Sequence, residues 1–210
     1  ITDDGAKVFA VTDNNTVDYV VVIDTNSKEV DYIPIGIQGG SRWIAISDSK
    51  VYVVNNWGDN NTGNGSVSVI NVTDHDVYNV PVGSYPVFIT VIPGFSKAYV
   101  SNQYGNNVGV LDVSSDNIRD IHEIAQPIPV QNSLTHSVIT PDRSKLFVCN
   151  AGSDSVSVIN TSNDTLIANI PVGDFQTDIK VSPDGRYIYV SNGLSNNITV
   201  IQNNLCPTAN

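Results

Sequence analysis

Few side chains in this sequence could carry out acid–base chemistry. Arg42, His136 and Asp178 together offer a cation, an imidazole that titrates near neutrality and a carboxylate, the set a hydrolase would use to activate water and steady a developing charge. The three histidines, His75, His122 and His136, fall at different places in the sequence pattern, and none forms a pair with metal-ligand spacing. A lone histidine such as His136 reads first as a hydrogen-bonded structural residue. No serine stands in a context that would mark a nucleophile. Asp13-Asn14-Asn15 and Asp59-Asn60-Asn61 could supply oxygen ligands to Ca²⁺, but neither matches an EF-hand loop, and both suit Asx-turns better. No metal or cofactor is therefore expected. A second set is chemically different: Trp43, Trp57, Tyr85, Tyr104 and Phe175 stand among Gly, Asn and Ser, as aromatics do where they stack on sugars or anchor a protein partner.

The elements that must position these residues repeat. Tyr52-Val53-Val54-Asn55 returns as Tyr99-Val100-Ser101-Asn102, Phe147-Val148-Cys149-Asn150 and Tyr189-Val190-Ser191-Asn192, with a degenerate copy at Phe9-Ala10-Val11-Thr12. The asparagines at 55, 102, 150 and 192 are spaced by 40 to 50 residues, the period of a β-propeller blade. Within a repeat, alternating stretches such as Asp178 to Ser182 predict half-buried strands, and Pro183-Asp184-Gly185 predicts a tight turn. Call the strands of a blade a to d, from channel to rim. Strand d ends in Ile33-Pro34-Ile35-Gly36, Val80-Pro81-Val82-Gly83, Ile128-Pro129-Val130 and Ile170-Pro171-Val172-Gly173, and proline is tolerated there because d is an edge strand. The d–a and b–c loops should emerge on one face, which gathers Arg42, Trp43, Trp57, Tyr85, Tyr104, His136, Phe175 and the start of the strand bearing Asp178.

Composition agrees. The chain has 210 residues, with 10 basic and 21 acidic side chains, 19 of the acids being Asp. With 25 Asn, this describes many turns and little helix. The acidic balance argues against nucleic acid, and no stretch is long and apolar enough to span a membrane. Acceptor triplets for N-glycosylation begin at Asn14, Asn60, Asn64, Asn71, Asn160, Asn163 and Asn197, although a chain so rich in Asn, Ser and Thr makes such triplets by chance. Cys149 sits inside a strand and reads as a small buried residue; a bridge to Cys206 in the tail is the alternative.

Val156-Ser157-Val158-Ile159-Asn160, Ile170-Pro171-Val172-Gly173, Ser182-Pro183-Asp184-Gly185 and Tyr189-Val190-Ser191-Asn192 resemble the YVTN β-propeller repeats of archaeal and bacterial surface-layer proteins. The resemblance covers about residues 1–202. It implies an exported cell-surface protein, usually of seven blades, that meets surface glycans, other surface proteins or its own copies. The departures are Thr12 for Asn, the expanded stretch 56–65, and Gln131-Asn132 where Gly is usual. Residues 203–210 read as a tail or linker, and Cys206-Pro207-Thr208-Ala209-Asn210 resembles the opening of a PKD-type domain.

The expectation is thus an all-β propeller of four-stranded antiparallel blades over residues 1–202. It contains three strands of a first blade, three full blades and three strands of a last, 18 in all, or four and a half to five blades. That open count suggests part of a longer propeller. The function expected is a non-enzymatic structural surface-layer or adhesion module binding glycan or protein through the loop face. The alternative is a propeller enzyme, a lactonase-like hydrolase or a redox subunit with its site at the channel mouth.

Overall fold

Residues that alternate in burial every second position, punctuated by Asp, Asn and Gly turns, can satisfy their backbone only by pairing with neighbouring strands. The computed structural model describes residues 1–2, 4–12, 17–35, 40–56, 64–92, 94–124 and 126–203. The first sheet runs β1 (Lys7–Val11), β2 (Tyr19–Asp24), β3 (Val30–Pro34). The second runs β4 (Ser41–Ser47), β5 (Lys50–Asn55), β6 (Asn64–Asn71), β7 (Val77–Ser84). The third contains β8 (Pro86–Thr90), β9 (Lys97–Asn102), β10 (Asn107–Asp112), β11 (His122–Glu123) and β12 (Ile128–Pro129). The fourth is β13 (Leu134–Ile139), β14 (Lys145–Asn150), β15 (Ser155–Asn160), β16 (Thr165–Pro171), and the fifth is β17 (Gln176–Val181), β18 (Tyr187–Asn192), β19 (Asn197–Gln202). All are antiparallel meanders in the expected a–b–c–d order. The chain divides into two compact units, residues 1–105 with 109–127, and residues 106–108 with 128–210.

Two details differ from expectation. The third sheet's outer strand is broken in two: β11 pairs with the end of β10 and β12 with its start. A 3-10 turn at Ile118–Asp120, capped by the Asn117 side chain, and Pro127, which has no N–H to donate, interrupt the ladder between them. The described strands therefore number 19 rather than 18. Ile1-Thr2, expected to end a strand a, is not in a strand. Thr2 instead begins an a–b turn of the same build as its sisters. Its Oγ1 donates to Asp4 Oδ1 (2.6 Å) and accepts from Lys7 N (3.0 Å), as Ser182 Oγ does with Asp184 Oδ1 (2.6 Å) and Tyr187 N (3.0 Å). Gly5 and Gly185 take φ of 70° and 72° in these turns, a conformation open to glycine without strain. Hydrogen bonds, first from Thr2 and Ser182 and then from the backbone, hold the Asp4 and Asp184 carboxyls below their ordinary range. Their contribution to stability is therefore present above the usual carboxylate pKa and fades as acid protonates them.

The repeated asparagine has a structural task. Asn55, Asn150 and Asn192 are buried at the ends of their b strands. Each Nδ2 reaches across to strand c: Asn55 to Ser68 Oγ (2.8 Å), Asn150 to Ser157 Oγ (2.9 Å), Asn192 to Thr199 Oγ1 (2.9 Å). Ser68 and Ser157 pass the chain on to strand d, donating to Asn79 Oδ1 and Asn169 Oδ1, both at 2.7 Å. In the first sheet Thr12 replaces the asparagine, and its hydroxyl makes a shorter closure with the Tyr19 backbone. The same asparagines explain the glycine that ends strand d. A Cβ on Gly83 would lie 2.5 Å from Asn102 Nδ2, and one on Gly173 would lie 2.8 Å from Asn192 Nδ2. The glycines that end the second and fourth sheets thus make room for the next sheet's asparagine.

Gly173→Ala should destabilise the second unit by about 1–3 kcal/mol, because the added methyl overpacks a buried amide. Asn192→Ala should cost stability by itself, yet combining the two should cost less than the sum. A double-mutant cycle from urea melts measures this, and additive losses would show that glycine and asparagine are not in register.

Candidate functional site

The loops expected to share a face are tied together in four of the five sheets. Between β4 and β5, Asn56 N donates to Gly40 O (2.9 Å). The corresponding bonds are Gln103 N to Tyr85 O (2.9 Å), Ala151 N to Ser133 O (2.9 Å) and Gly193 N to Phe175 O (2.8 Å). The accepting residue sits in the left-handed region every time, with φ of 91° at Gly40, 53° at Tyr85, 56° at Ser133 and 57° at Phe175. Two of the predicted aromatics thus occupy a position that costs an ordinary side chain about 1 kcal/mol or more, and the paired backbone bonds hold them there.

In the first unit, Tyr85 and Tyr104 stack, ring centroids 4.2 Å apart and planes 20° apart, and Tyr104 is 68% exposed. Trp43 lies on β4 against Phe88 of β8, centroids 4.5 Å apart. Arg42, also on β4, is exposed. Trp57 lies outside the described residues.

In the second unit, His136 on β13 and Asp178 on β17 are half-buried and close enough to influence each other's ionisation. Burial lowers the His136 pKa; Asp178 opposes the shift and Lys180 adds to it, so the imidazole is neutral at neutral pH. Burial works against the Asp178 carboxylate, but bonds from Lys180 Nζ (2.6 and 2.8 Å) and Ile179 N (2.8 Å) outweigh it and hold the pKa down. Phe175 is 51% exposed, its N–H directed to Asp154 Oδ1 (3.3 Å). Cys149 is a buried free thiol, its pKa pushed up to about 12 by burial and then by Asp178, so it is not a nucleophile. Cys206 lies outside the described residues.

The strand registers show that Trp43, Phe88, His136 and Asp178 hold one equivalent position in four successive first strands. Phe88 and Lys180 escaped the sequence reading. Aligning the repeats on the b-strand asparagine would have exposed Phe88, and Lys180 follows from strand periodicity, being two residues from Asp178 on the same face. Arg42 belongs to the first unit and the His136–Asp178 pair to the second. Among the described residues, no group of three or more His, Cys, Asp or Glu could hold a metal ion, and no helix is long and apolar enough to cross a membrane.

The glycosylation candidates divide by what their amides do. Asn71 and Asn160 close turns, each accepting a backbone N–H at 2.8 and 2.9 Å. Asn197 accepts from Asn192 (2.8 Å) and Asn163 from Thr165 Oγ1 (2.7 Å). Asn64 is exposed at the start of β6, and Asn14 and Asn60 lie outside the described residues.

No family model and no curated protein matches the sequence. Solved structures do. Hydrazine synthase from Kuenenia stuttgartiensis superposes with TM-score 0.78 at 19% identity, over 98% of this chain and 71% of that one. A 6-phosphogluconolactonase candidate from Bacteroides uniformis gives 0.76 at 18%, over 97% and 66%. Dihydro-heme d1 dehydrogenase NirN in complex with DHE gives 0.69 at 19%, over 97% and 43%. The chain thus spans from under half to about seven tenths of these structures. The likeness defines an all-β, β-propeller fold.

One perturbed group sits outside this set. Burial raises the Glu123 pKa, and its Oε1 is enclosed without a hydrogen-bond partner, beside Gly109, where sister sheets place the serine of the polar ladder. A raised pKa in the folded state means stability present below the ordinary glutamate pKa and lost as pH rises through the folded value. Glu123→Gln should therefore raise the melting temperature at pH 7, with the gain vanishing toward pH 4. Melts across that range check it, and a gain independent of pH would show that charge is not the cause.

Proposed function

We propose that this chain is the scaffold of a propeller hydrolase acting on a lactone or a similar small cyclic ester, with His136 as general base. The carrying observation is the His136–Asp178 pair: two equivalent positions of adjacent first strands hold a neutral imidazole beside an ionised carboxylate. His136 takes a proton from water as the water oxygen adds to the carbonyl carbon, and the imidazolium then returns that proton to the ring oxygen as the C–O bond breaks, giving the hydroxy acid and the neutral imidazole again. Asp178 stabilises the imidazolium while it carries the proton. The likeness to lactonase candidates supports this reading at the level of fold.

A second reading rests on the stacked Tyr85–Tyr104 pair of the first unit. It is a surface-layer or adhesion module, outside the cell, that binds glycans or surface proteins through these two rings. The YVTN resemblance and the acceptor asparagines support it.

Purified chain is assayed against a panel of γ- and δ-sugar lactones in a pH-stat. Hydrolysis should exceed the buffer rate, and kcat/KM should climb with pH to a plateau through a pKa below the ordinary imidazole value of 6.5. His136→Ala should lose about 10²–10⁴-fold in kcat/KM. A wild type no faster than buffer, or an alanine variant of full activity, removes the hydrolase reading. The adhesion reading predicts a glycan-array signal that Tyr104→Ala abolishes, together with an intact mass above the sequence mass in native material.

A further inference from the structure

Within the first unit, the turns that join strand c to strand d in the first and second sheets are the same piece of structure. Lys28 N donates to Asp24 O (3.0 Å) as His75 N does to Asn71 O (3.1 Å), while Asp24 N and Asn71 N donate to Glu29 O and Asp76 O, both at 3.0 Å. The strand registers match as well. Lys7 faces Asp24 as Lys50 faces Asn71, and Val30 faces Ile23 as Val77 faces Ile70. Glu29 and Asp76 are therefore equivalent carboxylates, Asp31 and Tyr78 hold the same place on strand d, and Val22 and Val69 hold the same place on strand c.

Beside the second sheet's turn, the chain fills the space itself. The 3-10 turn Ile118–Asp120 packs on β6 and β7, and Ile118 is buried in the cluster that contains Val69. Arg119 Nη2 donates to both Asp76 carboxylate oxygens, at 3.0 and 2.9 Å, and its guanidinium lies 5.9 Å from the centre of the Tyr78 ring. Beside the first sheet's turn, the neighbouring segment is the short turn carrying His75, whose Nδ1 lies 3.4 Å from Asp31 Oδ2. A groove of about 510 Å³ is left there, with Val22 and Val30 as its apolar lining and Asp24, Glu29 and Asp31 as its carboxylates. The one ammonium in its wall, Lys7 Nζ, donates to Val72 O (3.3 Å). Asp24 spends Oδ1 on the N–H groups of Asn26 and Ser27, both at 2.8 Å. Among the described residues, the Glu29 carboxylate has no hydrogen-bond or ion-pair partner, whereas its counterpart Asp76 holds Arg119.

We propose that this groove binds a small molecule that carries a guanidinium on a short aliphatic stem. Three observations favour that ligand. The equivalent space one sheet along is filled by an aliphatic side chain and a guanidinium of the chain's own, Ile118 and Arg119. Three carboxylates against one ammonium make the groove attract a cation, and a planar guanidinium suits a carboxylate such as Glu29. Val22 and Val30 offer the stem an apolar wall, and the volume is that of a small-molecule site. The groove lies at the c–d turns, at the opposite strand ends from the loop face, so it stands apart from both readings of that face.

The test titrates the full 210-residue chain with n-butylguanidinium and with n-butylurea, its neutral isostere, and follows amide NMR shifts. The guanidinium should bind with a Kd of about 0.1–1 mM. The shifts should centre on Val22, Glu29, Val30, Asp31 and His75. Butylurea should bind about tenfold more weakly or worse, because it lacks the charge that the carboxylates recognise. Glu29→Gln, at an exposed position, should weaken the guanidinium by about tenfold with unchanged melting temperature. Asp31→Asn replaces that variant if it melts early. No shift at millimolar guanidinium overturns the proposal, as do shifts centred elsewhere. Equal affinity for the urea, or full affinity in the carboxamide variant, overturns it too, since either would mean that the groove does not read charge.

Discussion

The buried side-chain amide that ends the second strand in four of the five sheets is the interaction on which the rest of this architecture depends. Placing a carboxamide in a packed sheet costs free energy unless its donors and acceptors are matched. Here Asn55, Asn150 and Asn192 spend their N–H groups on hydroxyls of the next strand, and two of those hydroxyls pass the bond to a third strand. The network fixes register across strands b, c and d, because a slip of one residue would turn every member to the opposite face. Gly83 and Gly173 then act between blades, since only a residue without a side chain lets the neighbouring asparagine approach so closely. Local register and blade-to-blade spacing are thus set by one residue type.

Apolar packing supplies the bulk of the stabilisation around this frame. Fully burying a Val or Ile side chain contributes about 1.5–3 kcal/mol, and each junction buries six or more such residues. That term is non-directional, and valine-rich faces alone would tolerate several alignments. The polar ladder selects among them. Where it is weakened, the structure changes: the third sheet has Gly109 in place of the ladder serine, a carboxylate in the vacated space, and an outer strand broken into two short pieces.

Most of this frame was legible in the sequence, because strand identity, strand order and turn position all follow from period-2 alternation and Asp-Gly or Asn chemistry repeated several times. What escaped depended on relations between repeats. Pro127 and the capped turn at Ile118–Asp120 interrupt a strand that the Ile128-Pro129-Val130 motif suggested was whole. Of the candidate site, the pairing of d–a with b–c loops was foreseen, and Tyr85 meets Tyr104 as that predicts. Phe88 was missed because apolar residues in strands carry no chemical flag, and Lys180 because its role is to hold Asp178 rather than to react. The Arg42, His136 and Asp178 set was chosen by residue type and by the loop face its strands share, neither of which says anything about the compact unit each belongs to.

The left-handed residue opening each first strand has a consequence for how such a protein can diversify. Gly40, Tyr85, Ser133 and Phe175 share one backbone conformation and one carbonyl bond, although their side chains range from none to an aromatic ring. The fold's demand at that position is met by the main chain, so the side chain is left unspecified. These positions behave as interchangeable sockets. Recognition chemistry can be fitted to or removed from one blade without disturbing the amide ladder beneath it, and the surface can acquire new preferences one residue at a time while its frame stays constant.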